Sequence, residues 1–198
     1  MRFVHRLIFI RHGETDWNVA GRLQGQRDIA LNARGRDQAA AAGRAVGKVI
    51  GADAAGSALA YVASPLGRAR RTMELARAAL GLPPLAYATD ARLMELSFGR
   101  WEGLTWPEVK ARAPEAAVAR ETCKWDFAPP DGESYAMLAL RVAPWLDELG
   151  GDTLVVSHGG VARVLLALIG GVAHEPASVF DIWQGRLLIF QSGGFAWL

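Results

Sequence analysis

Three short apolar runs in this chain end in residues that could do chemistry. "LIFI" (7–10) stops at Arg11-His12-Gly13. "YVA" (61–63) stops at Ser64, with Arg68 one helical turn further on, and "LVV" (154–156) stops at Ser157-His158-Gly159-Gly160. A segment that seeks burial has no use for a guanidinium or an imidazole unless its end opens into a cleft. If the three runs are neighbouring strands of a parallel sheet, Arg11, His12, Arg68 and His158 meet beyond the carboxyl ends, where such sheets bind ligands. Groups able to carry positive charge repel one another there, and a dianion relieves that. Phosphate fits best, because an arginine fork pairs with two oxygens at once. Gly159 and Gly160 let backbone approach closely. Helices beginning near the same point would add N–H donors and positive dipole ends. Taken singly, each residue has a plainer reading: a lone histidine is more often a satisfied polar residue. Arg70, Arg71 and Arg77 read as solvated surface charge. The joint placement after three strands carries the argument.

The elements that must hold these residues follow from patterning. "LIFI", "YVA", "LVV" and "LLIF" (187–190) read as buried strands. Helical spacing of apolar residues marks 33–49, 65–80, 133–149 and 160–169, with Ser64-Pro65 as N-cap and first-turn proline of the second and a kink at Pro144 in the third. Strands separated by helices predict an α/β fold, a three-layer sandwich whose mostly parallel central sheet is covered by helices. Residues 97–132 break the rhythm with Trp101, Trp106, Trp125 and Phe127 and short helix signals at 105–112 and 114–121. They read as an excursion within a single domain spanning 1–198, either packing decoration or a cap over the cleft. As a cap, its tryptophans form an apolar rim beside Arg112, Arg120 and Lys124.

Composition narrows the classes. Half of the 198 residues are apolar, and 22 basic against 20 acidic residues leave a net charge of +2, without a basic run that would grip nucleic acid. One cysteine, Cys123, rules out a disulfide within the chain and suits a reducing cytoplasm; it reads as a structural or surface thiol. The N-terminal apolar run is too short for a signal peptide, and no apolar stretch reaches the length of a membrane span. Neither a phosphate-binding Gly-x-x-x-x-Gly-Lys-Ser/Thr loop nor a metal-ligand spacing is present, so no metal or cofactor is expected. His5 and His174 receive no role. The apolar segment 179–198 offers an edge strand or a homodimer interface.

At this point the residues resemble a known pattern. "RHGETDWN" (11–18) is similar to the signature of the histidine phosphatase superfamily, the phosphoglycerate mutase-like family. "GRLQGQRDIALNARGRDQA" (21–39), "SPLGRARRT" (64–72), "LMELSFGRWEG" (93–103), "DGES" (131–134) and "VSHGGVAR" (156–163) follow in the family's order, so the resemblance covers roughly 6–166. It implies that His12 is the nucleophile and takes the phosphoryl group on a ring nitrogen. Arg11, Arg68, Asn18 and His158 would surround the phosphate, and Glu95 would be the proton donor and then the base that activates water. Gln24 and Gly25 fall where the phosphatase branch contacts phosphate or substrate, and the backbone at Gly159 could reach a phosphate oxygen. A carbonyl on the other nitrogen of His12, which Gly13 is placed to offer, would fix the tautomer.

The resemblance also bears on the branch. In the cofactor-dependent mutases an Arg-His-Tyr-Gly run follows the acid; here Leu96, Ser97, Phe98 and Gly99 follow Glu95. That favours a metal-independent phosphomonoesterase acting on a small phosphorylated metabolite, resembling the small bacterial phosphatases. Mutase-type phosphoryl transfer is the alternative, and a non-catalytic phosphate binder the reading from another class.

Overall fold

The computed structural model describes residues 5–51, 59–191 and 194–198. The opening residues 1–4, part of the run judged too short for a leader, lie outside the described residues, as do 192–193 within the apolar C-terminal segment. In chain order the elements are β1 (Leu7–Arg11), α1 (Asp16–Val19), α2 (Ala33–Ile50), β2 (Ala60–Ala63), α3 (Gly67–Ala79) and β3 (Ala88–Thr89). Then come α4 (Trp106–Arg112), α5 (Pro114–Thr122), α6 (Tyr135–Asp147), β4 (Thr153–Ser157), α7 (Gly159–Leu168), α8 (His174–Val179), β5 (Leu187–Gln191) and β6 (Gly194–Trp197). The sheet order is β3-β2-β4-β1-β5-β6. β1, β4, β2 and β3 run parallel; β5 is antiparallel to β1, and β6 is antiparallel to β5. The three strands that end in polar residues are therefore neighbours, with Arg11 opposite Ser157 and Ala63 opposite Val156.

Strand alternation divides the core. Leu7, Phe9 and Val155 face one way, against Leu138, Val142 and Trp145 of α6 and Val161 and Leu165 of α7. Ile8, Ile10, Leu154 and Val156 face the other way, against Ala42 and Val46 of α2 and Ala69 and Met73 of α3. Burial on both faces is why these strands read as unbroken apolar runs. Small residues let α2 and α3 come close: a Cβ on Gly43 would collide with the backbone of Ala76.

Several expectations shift. α3 begins at Gly67 rather than residue 65, and its N-cap, Leu66, makes no side-chain cap bond. Asp28 accepts from the Gly67 N–H at 2.9 Å instead, because the Ser64 hydroxyl is engaged with His158 at 2.7 Å. Arg77 is no surface charge: only 5% exposed, it donates from Nε to the Pro83 carbonyl at 3.0 Å and lies 4.2 Å over the Tyr61 ring. Arg70 and Arg71 are exposed as expected. α6 continues through Pro144 and ends at Asp147. β3, α1 and α8 are too short to leave a periodic signal.

The segment 97–132 builds α4 and α5 around a cluster of its own, Trp101, Val109 and Ala117, with Phe127 stacked 5.6 Å from Trp101. Two of the three tryptophans expected at a rim are core residues. Trp101 fills this cluster and Trp125 joins the main core, each 4% exposed. Burying so much ring surface stabilises more than exposing it at a rim. Trp106 lines a hollow with Arg120 and Lys124, whereas the edge of Trp125 borders a separate one along α6. His174 stacks on Trp125 at 4.4 Å, a packing role.

Candidate active site

β1 delivers His12 into a buried position, 2% exposed. Its Nδ1 lies 2.8 Å from the Gly13 carbonyl. A carbonyl only accepts, so Nδ1 carries the proton and Nε2 has a free lone pair. Burial first, then the Arg68 and Arg11 guanidiniums, hold the ring well below the ordinary imidazole range, which keeps it neutral. The turn after His12 is tight. The Gly13 N–H donates to Thr72 at 3.0 Å, and a Cβ on Gly13 would collide with the Gly35 carbonyl. A reciprocal cap between Thr15 and Asn18 then starts α1.

His158, fully buried, ends β4 and caps α7. Its ring centroid is 5.1 Å from that of His12. Nε2 is bonded to Ser64, and Nδ1 is buried without a partner. Desolvation, then Arg68, His12 and Arg11, hold this ring well below its usual range too. Arg11 donates from Nη1 to the Ile182 carbonyl at 2.7 Å, and Arg68 donates to the carbonyls of Arg27 and, at 2.7 Å, Gly25. The Nε of each arginine is buried and unpartnered. Among the described residues neither guanidinium has a carboxylate within ion-pair distance. Burial lowers the pKa of both. Two cations and three unsatisfied ring or guanidine nitrogens in one buried corner leave the protein short of an anion.

Glu95 approaches from the other side. Its Oε1 accepts from the Leu96 N–H at 2.8 Å and the Gly160 N–H at 3.0 Å, at the start of α7. Gly160 leaves room for the carboxyl there: a Cβ would strike Oε1 and push it aside. Gln24 lies buried with Oε1 unpartnered. Gly25, with φ of 53°, presents its carbonyl to Arg68, so it supports the arginine. Asn18 has its oxygen engaged by the Thr15 N–H and by Gln184, both at 3.1 Å, which leaves its NH₂ end for an anion. Gly159 opens α7, and Arg11 Nε passes 3.8 Å from where its Cβ would stand. Among the described residues no group of three or more His, Cys, Asp or Glu side chains is placed to hold a metal ion.

Sequence reasoning missed the supports. Gln184 donates to the His12 carbonyl and to Asn18, both at 3.1 Å. Gln26 donates to the Glu95 carbonyl at 3.1 Å. Arg141 donates to the carbonyls of Arg92 and Met94 and pairs with Glu133 at 2.9 Å, which fixes the loop carrying Glu95. Arg141 had a signal: it is the lone charge in the apolar run "MLALRVAPWL". Gln184 and Gln26 lie in irregular segments and had none.

Comparison with known proteins agrees with this geometry. The chain is 38% identical over 178 residues, 83% of its own length and 74% of the relative's, to a glucosyl-3-phosphoglycerate phosphatase of Mycobacterium tuberculosis. It is 32% identical over 193 residues to a 2,3-bisphosphoglycerate-dependent phosphoglycerate mutase of a Methylobacterium species, covering 93% of this chain and 90% of that one. The solved structure of a mycobacterial glucosyl-3-phosphoglycerate phosphatase in complex with VO3 superposes with a TM-score of 0.81 at 31% identity, covering 98% of this chain and 97% of the other. The model of the histidine phosphatase superfamily, branch 1, matches residues 7–197. With the sheet order, the two facing histidines and this match together, the chain belongs to the histidine phosphatase superfamily.

Proposed function

We propose that the chain is a metal-independent phosphomonoesterase that hydrolyses a small phosphorylated metabolite through a phosphohistidine at His12. The observation that carries this reading is the buried, unpartnered nitrogen set of Arg11, Arg68 and His158 beside the free Nε2 of His12. Those groups take the phosphoryl oxygens and neutralise the charge that spreads over them in the transition state. The His12 Nε2 lone pair attacks phosphorus, the P–O ester bond breaks, and the leaving oxygen takes a proton from Glu95. Water then attacks phosphorus, Glu95 takes a proton from it, the P–N bond breaks, and inorganic phosphate leaves. Glu95 uses mainly Oε1 for its backbone bonds, so Oε2 is the oxygen that carries the proton. Asn18, Gln24, Gly25 and Gly159 complete the binding set, and 97–132 acts as the cap of a single domain.

The relatives make glucosyl-3-phosphoglycerate the first substrate to try. The decisive experiment is incubation with p-nitrophenyl phosphate in EDTA, alongside His12→Ala. The expected result is turnover, a base-stable, acid-labile phosphoryl group on the wild type, and neither in the variant. Phosphate binding without turnover of any monoester would refute it in favour of a binder. Mutase-type transfer is the second reading, favoured by the matches to mutases; interconversion of 3- and 2-phosphoglycerate that depends on 2,3-bisphosphoglycerate would establish it. A cytoplasmic setting belongs to the same proposal, supported by the single thiol, free and exposed at Cys123. So does a homodimer through the apolar β6 edge, which light scattering tests.

A further inference from the structure

Resting on that phosphatase reading, we infer that Arg120, Lys124 and Arg163 form a second anion subsite, which takes a carboxylate of the substrate next to the phosphoryl group. They line a hollow of about 450 Å³ with Phe98 and Trp106 of the cap. None of the three cations has a carboxylate within ion-pair distance among the described residues. The acid on the same wall, Glu121, is already bonded to Lys110 at 2.7 Å and to Trp106 Nε1 at 3.1 Å. Arg120 is braced over the Trp106 ring at 5.1 Å, and Arg163 is aimed by donating from Nε to the Phe180 carbonyl at 3.0 Å. Lys124 is pushed down to about 8 by desolvation, then by Arg163 and Arg120, with Glu175 opposing. Burial likewise lowers Arg120. Three partly desolvated like charges against aromatic walls are costly unless an anion joins them.

Arg163 lies between the hollow and the reaction centre. Arg163 sits on α7 little more than a turn beyond His158. Its Nη1 and the Nε of Arg11 pass 3.5 and 3.8 Å from the same point above Gly159. An ester with phosphorus at His12 can therefore lay its alcohol portion under the cap and its second charge on these cations. A carboxylate suits the wall better than a second phosphate, because Glu121 repels a dianion more strongly. Of the residues expected at a rim over the cleft, Trp106, Arg120 and Lys124 line this hollow and Arg112 does not.

The test measures kcat/KM on matched pairs that differ by a carboxylate at two lengths: 3-phosphoglycerate against glycerol 3-phosphate, and 6-phosphogluconate against glucose 6-phosphate. 2,3-Bisphosphoglycerate and p-nitrophenyl phosphate serve as references. The expected result is a preference of about tenfold or more for the acid in at least one pair, the scale of a charge-assisted hydrogen bond. In Lys124→Gln and Arg120→Gln that ratio collapses towards one, mainly through KM, with thermal melting checked in parallel. Turnover of p-nitrophenyl phosphate with ratios near one in both pairs would overturn the subsite and leave the phosphatase standing. A ratio that survives in both variants, or a stronger preference for the bisphosphate, would also overturn it. No hydrolysis of any monoester would overturn both readings.

Discussion

Burying two neutral imidazoles beside two guanidiniums makes stability depend on pH in a defined direction. His12 and His158 are both held well below the ordinary value of 6.5 in the folded chain. The unfolded chain therefore binds more protons between 6.5 and the folded values, so stability falls as pH drops through that window. From pH 7 to 5.5 each ring costs up to about 1.25 kcal/mol, and the pair up to about 2.5 kcal/mol, from the unfolded-state titration alone. Lys124, lowered to about 8, is protonated in both states there and adds nothing. Carboxyls with lowered values, such as Asp90, Glu108 and Glu148, lose their contribution only at more acid pH. The assay is urea unfolding at pH 7 and 5.5, with His12→Gln and His158→Gln each removing about half the difference. Saturating phosphate should flatten it, because a bound dianion favours protonated His158. A stability unchanged over this interval, or a loss that persists undiminished in both variants, would refute the placement of two unprotonated rings in this pocket.

Glu95→Gln should lower turnover of alkyl phosphates by about 10²–10⁴-fold and p-nitrophenyl phosphate far less, since nitrophenolate leaves with little protonation; equal losses contradict the acid role. Gly160→Ala should mimic the same selective loss at about 10²-fold, because its methyl group displaces the Glu95 carboxyl from the start of α7; comparing the two esters checks it. Arg141→Met removes the ion-pair partner of Glu133, which keeps only the Ser97 N–H, and strips the Arg92 and Met94 carbonyls of their donor, with an expected loss of about 2 kcal/mol in chemical unfolding.

The parts of this molecule written in period and type were legible in advance. Strands buried on both faces announce themselves as apolar runs, and the residues that end them announce a charged cleft. The tautomer of His12 was also foreseeable, since Gly13 is its covalent neighbour. What stayed hidden is fixed by tertiary placement. Arg77 looks like any helix-surface arginine until Tyr61 and Pro83 close over it. Ser64 and Pro65 have the chemistry of a helix start, yet the hydroxyl is taken by a histidine 94 positions away. Trp101 and Trp125 could face solvent or core with the same spacing, and only packing decides. Gln184 carries no local pattern at all, although it touches both His12 and Asn18.

The pairing of β1 has a consequence for how the molecule comes into being. Its two neighbours, β4 and β5, begin at Thr153 and Leu187, so β1 stays without its sheet partners until those distant segments have been made. The carbonyl of Ile182 and the side-chain amide of Gln184, which steady Arg11 and His12, come equally late relative to β1. A nascent chain on the ribosome thus carries an uncovered "LIFI" segment and no competent reaction centre until Gln184 has emerged. Folding should be slow for the chain's size, and its early intermediates should lean on chaperones.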